Sequence, residues 1–229
     1  MLDAAVLAGG LRAAIRLRDK VVIVEIDAAA AADPAKIEAL AADLALARAL
    51  GIRVIIVTEP GAGPGPLDVQ APALRLRAAL ERHGERGLSL PAAGIVMVHR
   101  IPMAALAAAP GVPSMIPVVD TAVLIHLSAL GHVPILLPPI ADAEGAAVDL
   151  GAGAIAVFVA QFMSAALLVL SPESARAQPA DPGAGLPPAP PIVALSPITP
   201  GSLVADILLH APSAPAEPAV FPAANMAFP

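Results

Sequence analysis

The sequence predicts an α/β fold in which an open, mostly parallel sheet lies between layers of helix, followed by a Pro-rich C-terminal extension. Three observations predict it. From Val21 to Ser171 short β-branched runs alternate with longer alanine-rich stretches, the order that builds parallel sheets. The run from Val21 to Ile26 (VVIVEI) is apolar almost without a break, as in a strand covered on both faces. Helix boundaries between such runs are marked by capping residues, with Asp33-Pro34 opening one helix and Gly51 closing it.

Along the chain, Val21 to Ile26 is the first strand, and in the helix that follows Ile37, Leu40 and Leu44 share a face, with Lys36, Glu38, Asp43 and Arg48 away from it. Arg53 to Val57 is the second strand. Glu59 to Pro66 (EPGAGPGP) is a loop on its glycine and proline content. Ala71 to His83 reads as a helix carrying Leu74, Leu76 and Leu80, with Arg75, Arg77 and Arg82 exposed. Gly94 to Val98 is a strand, and a Pro-punctuated connection with a short helix at Met103 to Ala108 follows it. Asp120 caps a helix whose Val123, Leu124, Leu127 and Leu130 recur at helical spacing up to Gly131. Val133 to Leu137 is a strand that Pro134 places at an edge or a beginning. Asp142-Ala143-Glu144-Gly145 is a hairpin turn, a helix runs on through about Met163, and Leu167 to Leu170 is a strand. These elements define a domain over residues 1–176. Residues 177–229 form a Pro-rich linker, a short helix at Ser202 to His210 and an extended tail, because fourteen of the 27 prolines fall in the last 58 residues.

Composition excludes several classes of function. The 229 residues are 58% hydrophobic and 14% charged, too apolar for disorder of the whole chain. The absence of Cys, Trp and Tyr removes disulfide frameworks, cysteine-ligated metals and cysteine or tyrosine nucleophiles. A net charge of -6 with 13 Lys+Arg and 2% aromatics lacks both the basic stripe and the stacking platforms of a nucleic-acid binder. Mean hydropathy of +0.80 raises the membrane question. The best spanning stretch, Ala154 to Leu170, is only 17 residues and contains Gln161 and Ser164, and no basic residue flanks it to orient it. A membrane protein is the minority reading. Met1 to Gly10 has no basic n-region and does not read as a secretory signal, so a cytoplasmic or organelle-matrix location is expected.

Three segments carry a resemblance: Lys20 to Asp27 (KVVIVEID), Ala49 to Val57 (ALGIRVIIV), and Gly131 to Leu170, with its strand, acidic hairpin, alanine-rich helix and strand. In their order and spacing they resemble the amino-acid kinase family, closest to the N-acetylglutamate kinases, over roughly residues 11 to 171. The resemblance implies an open sheet between helix layers, transfer of the ATP γ-phosphoryl group to a carboxylate, and dimers or hexamers. It also locates the departures. Where the family has a lysine and two glycines after the first strand, this chain has Val24, Ile26 and Asp27, and where the family has a triple glycine it has Glu59, Pro60 and Gly61. The resemblance leaves Gly61 and Gly63 as a phosphate-loop remnant that would bind the cofactor. It leaves Asp149, followed by Gly151 and Gly153, at the family's Asn-rich turn as the substrate-site residue. The Ser/Thr-Asp after the last strand becomes Ser171-Pro172, and Pro-rich sequence replaces the segment with the second lysine. The loop after Pro66 is shortened, so the substrate-binding arginine is assigned to neither Arg75 nor Arg77.

Physical chemistry points the same way. Phosphoryl transfer needs cations or backbone amides around the phosphate, and this chain has two lysines, Lys20 and Lys36, and one arginine beyond position 100, Arg176. Glu25, Asp27 and Glu59 at the ends of the first two strands make the ligand crevice acidic, which repels a nucleotide unless Mg²⁺ compensates. Asp27, Glu59 and Asp149 have the oxygen donors a hard cation prefers, but solvated strand ends and caps explain such residues more simply. Prolines 60, 64 and 66 lack the N–H groups an anion would need, which favours a plain loop around Gly61, Gly63 and Gly65. His83, His99, His126, His132 and His210 have no metal-pair spacing, and Ser89, Ser114, Ser128 and Ser164 lack a nucleophile-elbow setting. The Arg75, Arg77, Arg82 and Arg86 group is a solvated face or a contact for an acidic partner. The sequence therefore reads as a non-catalytic structural or regulatory subunit with no cofactor and no metal, in a homo-oligomer or a hetero-complex with other protein subunits. The alternative is an ATP- and Mg²⁺-dependent kinase of the acetylglutamate type, in arginine biosynthesis.

Overall fold

The computed structural model describes residues 4–63, 65–101, 115–177 and 187–212. The helix expected at Met103 to Ala108, most of the Pro-rich linker and the chain beyond residue 212 lie outside them. In chain order the elements are α1 (Ala4–Leu17), β1 (Val21–Ile26), α2 (Ala28–Ala32), α3 (Pro34–Ala49), β2 (Arg53–Thr58), α4 (Pro66–Arg82), β3 (Arg86–Pro91), β4 (Val96–Arg100) and β5 (Met115–Val119). Then follow α5 (Thr121–Ala129), β6 (His132–Leu137), β7 (Ile140–Asp142), β8 (Ala147–Val148), α6 (Gly151–Phe162), β9 (Leu167–Leu170), α7 (Pro172–Ala177), β10 (Ile192–Ala194) and α8 (Ser202–Leu209).

Six strands form one sheet in the order β10-β9-β1-β2-β6-β3, parallel at every pairing. A smaller sheet, β5-β4-β7-β8, is mixed, with β4 antiparallel to β5 and parallel to β7. The expected α/β architecture with a mostly parallel sheet between helices is thus the observed one. Because side chains alternate along a strand, β1 and β2 feed two separate cores. Val22, Val24, Ile26, Val54 and Ile56 face α2, α3, α4 and α8, while Ile23, Ile55 and Val57 face α6 and the small sheet.

Local chemistry explains the boundaries. Asp33 Oδ1 accepts from Ala35 N at 2.9 Å, Pro34 opens α3, and Gly51 follows it at φ +84°, a left-handed turn that favours glycine. Asp120 Oδ1 accepts from Ala122 N at 3.1 Å to open α5. The acidic hairpin joins β7 to β8, with Asp142 N donating to Ala146 O at 2.9 Å.

Several expectations are corrected. Pro134 does not mark an edge: β6 lies between β2 and β3, and its ladder with β2 begins at Ile135, beyond the residue that has no N–H to give. The strand expected from Gly94 starts at Val96, after a 3-10 turn at Ala92–Gly94. Helix α4 begins five residues earlier than expected and leaves Leu74 exposed. Asp43, placed on the polar side of α3, is buried, because its carboxylate is needed by α8: it accepts from Gly201 N at 2.7 Å and Leu203 N at 2.9 Å. The apolar stretch Ala154 to Leu170 is not one helix; Ser164 at φ 48° turns the chain between α6 and β9. Among the described residues no helix is long and apolar enough to cross a membrane.

Beyond the short helices α2 and α7 and strand β5, none of which was anticipated, three unanticipated elements extend the core. Helix α1 packs on α8 through a face that includes the buried Ala13, Ala14 and Leu17. Strand β3 (RGLSLP) has no β-branched residue and is held by its ladder to β6. Strand β10 extends the sheet beyond β9, with Leu195 N donating to Leu170 O at 2.7 Å.

Candidate functional site

At the C-terminal edge of a parallel sheet, where open α/β sheets bind ligands, strand ends meet helix starts. Here the ends of β1, β2 and β9 meet the first turns of α2, α6 and α7. Unpaired N–H groups and the helix dipole make such turns attractive to anions. The chain supplies the anions itself.

Helix α6 carries the most developed case. Its own N-cap position is Leu150, which has no side-chain acceptor, so two carboxylates from elsewhere serve it. Glu59, directly after β2, accepts from Ala152 N at 2.7 Å, and Asp149 accepts from Gly151 N at 3.1 Å. The turn between them requires Gly151 at φ +71°, a conformation that a side chain at this position would strain. Asp27 caps α2 in the same way, accepting from Ala30 N at 2.7 Å.

Glu25 is more deeply enclosed. One place before the last residue of β1, it is 1% exposed, and its carboxylate accepts from Ser171 N at 2.5 Å, Ser174 Oγ at 3.1 Å and Ser171 Oγ at 3.4 Å. Burial raises its pKa above the usual carboxylate value of 4.5, and the neighbouring Asp27 charge adds to the rise, while the serine donors oppose it. The native state therefore holds this proton to higher pH than the unfolded chain does. Glu25's share of stability is fullest at acid pH and declines as pH climbs from 4.5 through the raised native value. Glu25→Gln keeps an acceptor for Ser171 N and removes the titration. Urea unfolding at pH 4 and pH 7 is expected to shift the stability difference toward the variant at the higher pH; a difference that does not change with pH would overturn this account.

The glycine loop lies beside this edge. Gly61 N donates to Val69 O at 3.1 Å, and a Cβ on Gly61 would collide with the Asp68 carbonyl, which Pro72 leaves without its usual helical donor. A Cβ on Gly63 would strike the Asp68 side chain, whose Oδ2 accepts from Gly65 N at 3.1 Å. Close packing on the first turn of α4 thus accounts for both glycines. A cavity of about 240 Å³ remains there, lined by Gly61, Gly63, Ala28, Asp68 and Arg75 among others.

No family model matches the sequence, and no curated protein does. Solved structures do match. An N-acetylglutamate synthase from Neisseria gonorrhoeae, complexed with coenzyme A and N-acetyl-glutamate, superposes with a TM-score of 0.56 at 18% identity, covering 75% of this chain and 46% of that one. The aspartate kinase from Synechocystis gives a TM-score of 0.50 at 15% identity, covering 66% of this chain and 28% of that one. The fold is that of the amino-acid kinases. The chain spans less than half the length of either protein.

On the amino-acid kinase fold, the residues picked out in the sequence separate into two groups. Glu25, Asp27, Glu59 and Asp149 all come to the sheet's C-terminal edge, each engaged with backbone N–H groups. Gly61 and Gly63 stand at the neighbouring cavity with Arg75, whereas Arg77 pairs with Glu81 at 2.9 Å. Among the described residues no group of three His, Asp or Glu side chains is placed to hold a metal ion. Sequence reasoning missed Ser171 and Ser174 as donors to Glu25. The one available signal was a Ser-Pro-Glu-Ser run immediately after a strand, which reads as a helix start.

Proposed function

We propose that this chain is a non-catalytic protein on the amino-acid kinase fold, acting as a structural or regulatory subunit of an oligomer or larger complex. The observation that carries the reading is the pair of carboxylates, Glu59 and Asp149, on the first two N–H groups of α6. Those amides are the kind of donor that would otherwise hold a transferring phosphoryl group. With a carboxylate on each, a phosphate must displace an intramolecular anion and enter among Glu25, Asp27 and Glu59.

ATP with Mg²⁺ is the cofactor the fold implies, and on this reading the residues present do not fit it. The degenerate motifs noted in the sequence agree with that: a glycine pair and a lysine are missing after β1, and a triple glycine after β2. The second reading, an ATP-dependent carboxylate kinase of the acetylglutamate type, is favoured by one feature, the Arg75 side chain at the cavity beside Gly61 and Gly63.

Calorimetric titration of the purified chain with Mg²⁺-ATP separates the two. The expected outcome is no binding tighter than a dissociation constant of about 1 mM, or roughly -4 kcal/mol. Micromolar binding abolished by Arg75→Ala would overturn the subunit reading and establish the kinase one.

A further inference from the structure

The chain is acidic overall, with a net charge of -6, yet the stretch leading into β1 is basic. Arg12, Arg16, Arg18 and Lys20 place four of the 13 Lys+Arg within nine positions, and Asp19 is the sole Asp or Glu among them. All four cations are exposed, and none takes part in an ion pair among the described residues. Arg12 uses only its Nε, which donates to Ala8 O at 3.2 Å. Asp19 is held by Arg53, Nη2 to Oδ1 at 3.7 Å, which brings a fifth cation to the same end of the sheet.

Two aliphatic side chains stand among these charges. At 3.6 residues per turn, Leu11 and Ile15 form one row along α1 and Arg12 and Arg16 form the next. Both rows lie away from Ala13, Ala14 and Leu17, which are buried. Leu11 and Ile15 are 63% and 64% exposed. From Ala4 to Leu17 the only polar side chains are the two guanidinium groups, so the outward face offers aliphatic carbon and positive charge, with no hydroxyl, amide or carboxylate.

We propose that the outward face of α1 docks on the surface of an anionic lipid bilayer, with Arg18, Lys20 and Arg53 adding to the attraction from beside it. The inference goes beyond the subunit reading and does not depend on it. Charge and area select the occupant. Helices that lie in a membrane interface set aliphatic side chains at the headgroup boundary and basic groups on the lipid phosphates, the two chemistries that alternate here. Clustered Lys and Arg are drawn to acidic headgroups without needing a shaped counterpart. Two aliphatic side chains fall far short of the roughly 800 Å² that each partner contributes to a standard protein interface, and a helix face without hydrogen-bonding groups other than guanidinium has little to specify one. Nucleic acid would engage the cations but leave Leu11 and Ile15 unused. The acidic remainder of the chain is repelled by the same bilayer, which turns α1 toward it.

Flotation of the full chain with phosphatidylcholine vesicles containing about 30% phosphatidylglycerol tests the proposal. Binding at 0.1 M NaCl is expected to weaken about tenfold or more at 0.5 M, as salt screens the charges, and to be absent with phosphatidylcholine alone. Arg12→Glu combined with Arg16→Glu should abolish it. Leu11→Ser combined with Ile15→Ser keeps the charge and should weaken it about fivefold or more, with circular dichroism and melting temperature reporting that the fold is kept. Arg77→Glu combined with Arg86→Glu makes the same change in net charge on α4 and β3 and should leave binding within about twofold. Because the chain has no cysteine, Ala8→Cys carries a single environment-sensitive dye, whose emission should shift to the blue on the anionic vesicles. A chain that does not float at 0.1 M NaCl, or binding lowered equally by the Arg77 and Arg86 pair, overturns the proposal. Binding indifferent to the loss of Leu11 and Ile15 and matched by soluble polyglutamate also overturns it, and would make this face a contact for an acidic protein segment.

Discussion

Asp43→Ala is expected to lower the stability of the protein by about 2–4 kcal/mol, a range set by the loss of charge-assisted hydrogen bonds to buried donors. Asp43 is 4% exposed and stands in the middle of α3, yet its two oxygens serve a helix 158 residues away in sequence. Gly201 N and Leu203 N both donate to it, and Leu203 is fully buried, so no water replaces the carboxylate easily. The lesion should be local as well as global. Hydrogen-exchange protection is expected to fall first in α8 and then in β10, which reaches α8 through Ser196, whose N and Oγ both donate to Asp206 at 2.9 Å. Asp43→Asn, retaining one acceptor, should recover part of the loss. A cost below 0.5 kcal/mol for Asp43→Ala would show that α8 is held by packing alone.

Ile56→Ala is expected to cost about 2–5 kcal/mol, the range for truncating a fully buried aliphatic side chain. Ile56 sits in β2 with Val24 on one side and Ile135 on the other, and its side chain enters the core beneath α3 and α4. Both neighbours are pinned by ladders, so the space left has little freedom to close. Against a typical total of roughly 5–15 kcal/mol, this one change removes a large share. The urea midpoint should fall while the slope of the transition stays constant; an unchanged midpoint would mean that the helices over β2 collapse onto the gap.

Much of the fold was legible because the informative residues act locally. Asp33-Pro34, Asp120 and Gly51 define helix ends from within a few positions, and VVIVEI has one conformation to satisfy. What escaped was written elsewhere in the chain. Strand β3 is a strand because β6 offers it a ladder, not because RGLSLP prefers one. Asp43 reads as a solvated helix residue until α8 is brought to it from beyond position 200. The same holds at the candidate site. The sequence indicated that acidic residues gather at the crevice, since strand ends in a parallel sheet fall on one edge. It could not indicate that Glu59 reaches the start of α6, 93 residues on, or that two serines enclose Glu25. Those contacts depend on how β9 and α6 dock beside β1 and β2, which no local pattern encodes.

The sheet order also has a consequence during synthesis. Strand β2 follows β1 from the ribosome soon afterwards, but the other neighbour of β1 is β9, which pairs Leu167 with Val22. At about 5–20 residues per second, the β9 flank of β1 waits on the order of 7–30 seconds for that partner. For that interval the nascent chain presents an open, β-branched edge to every other nascent chain nearby. The speed of translation between β2 and β9 is therefore expected to decide how much of this protein reaches its native state without a chaperone.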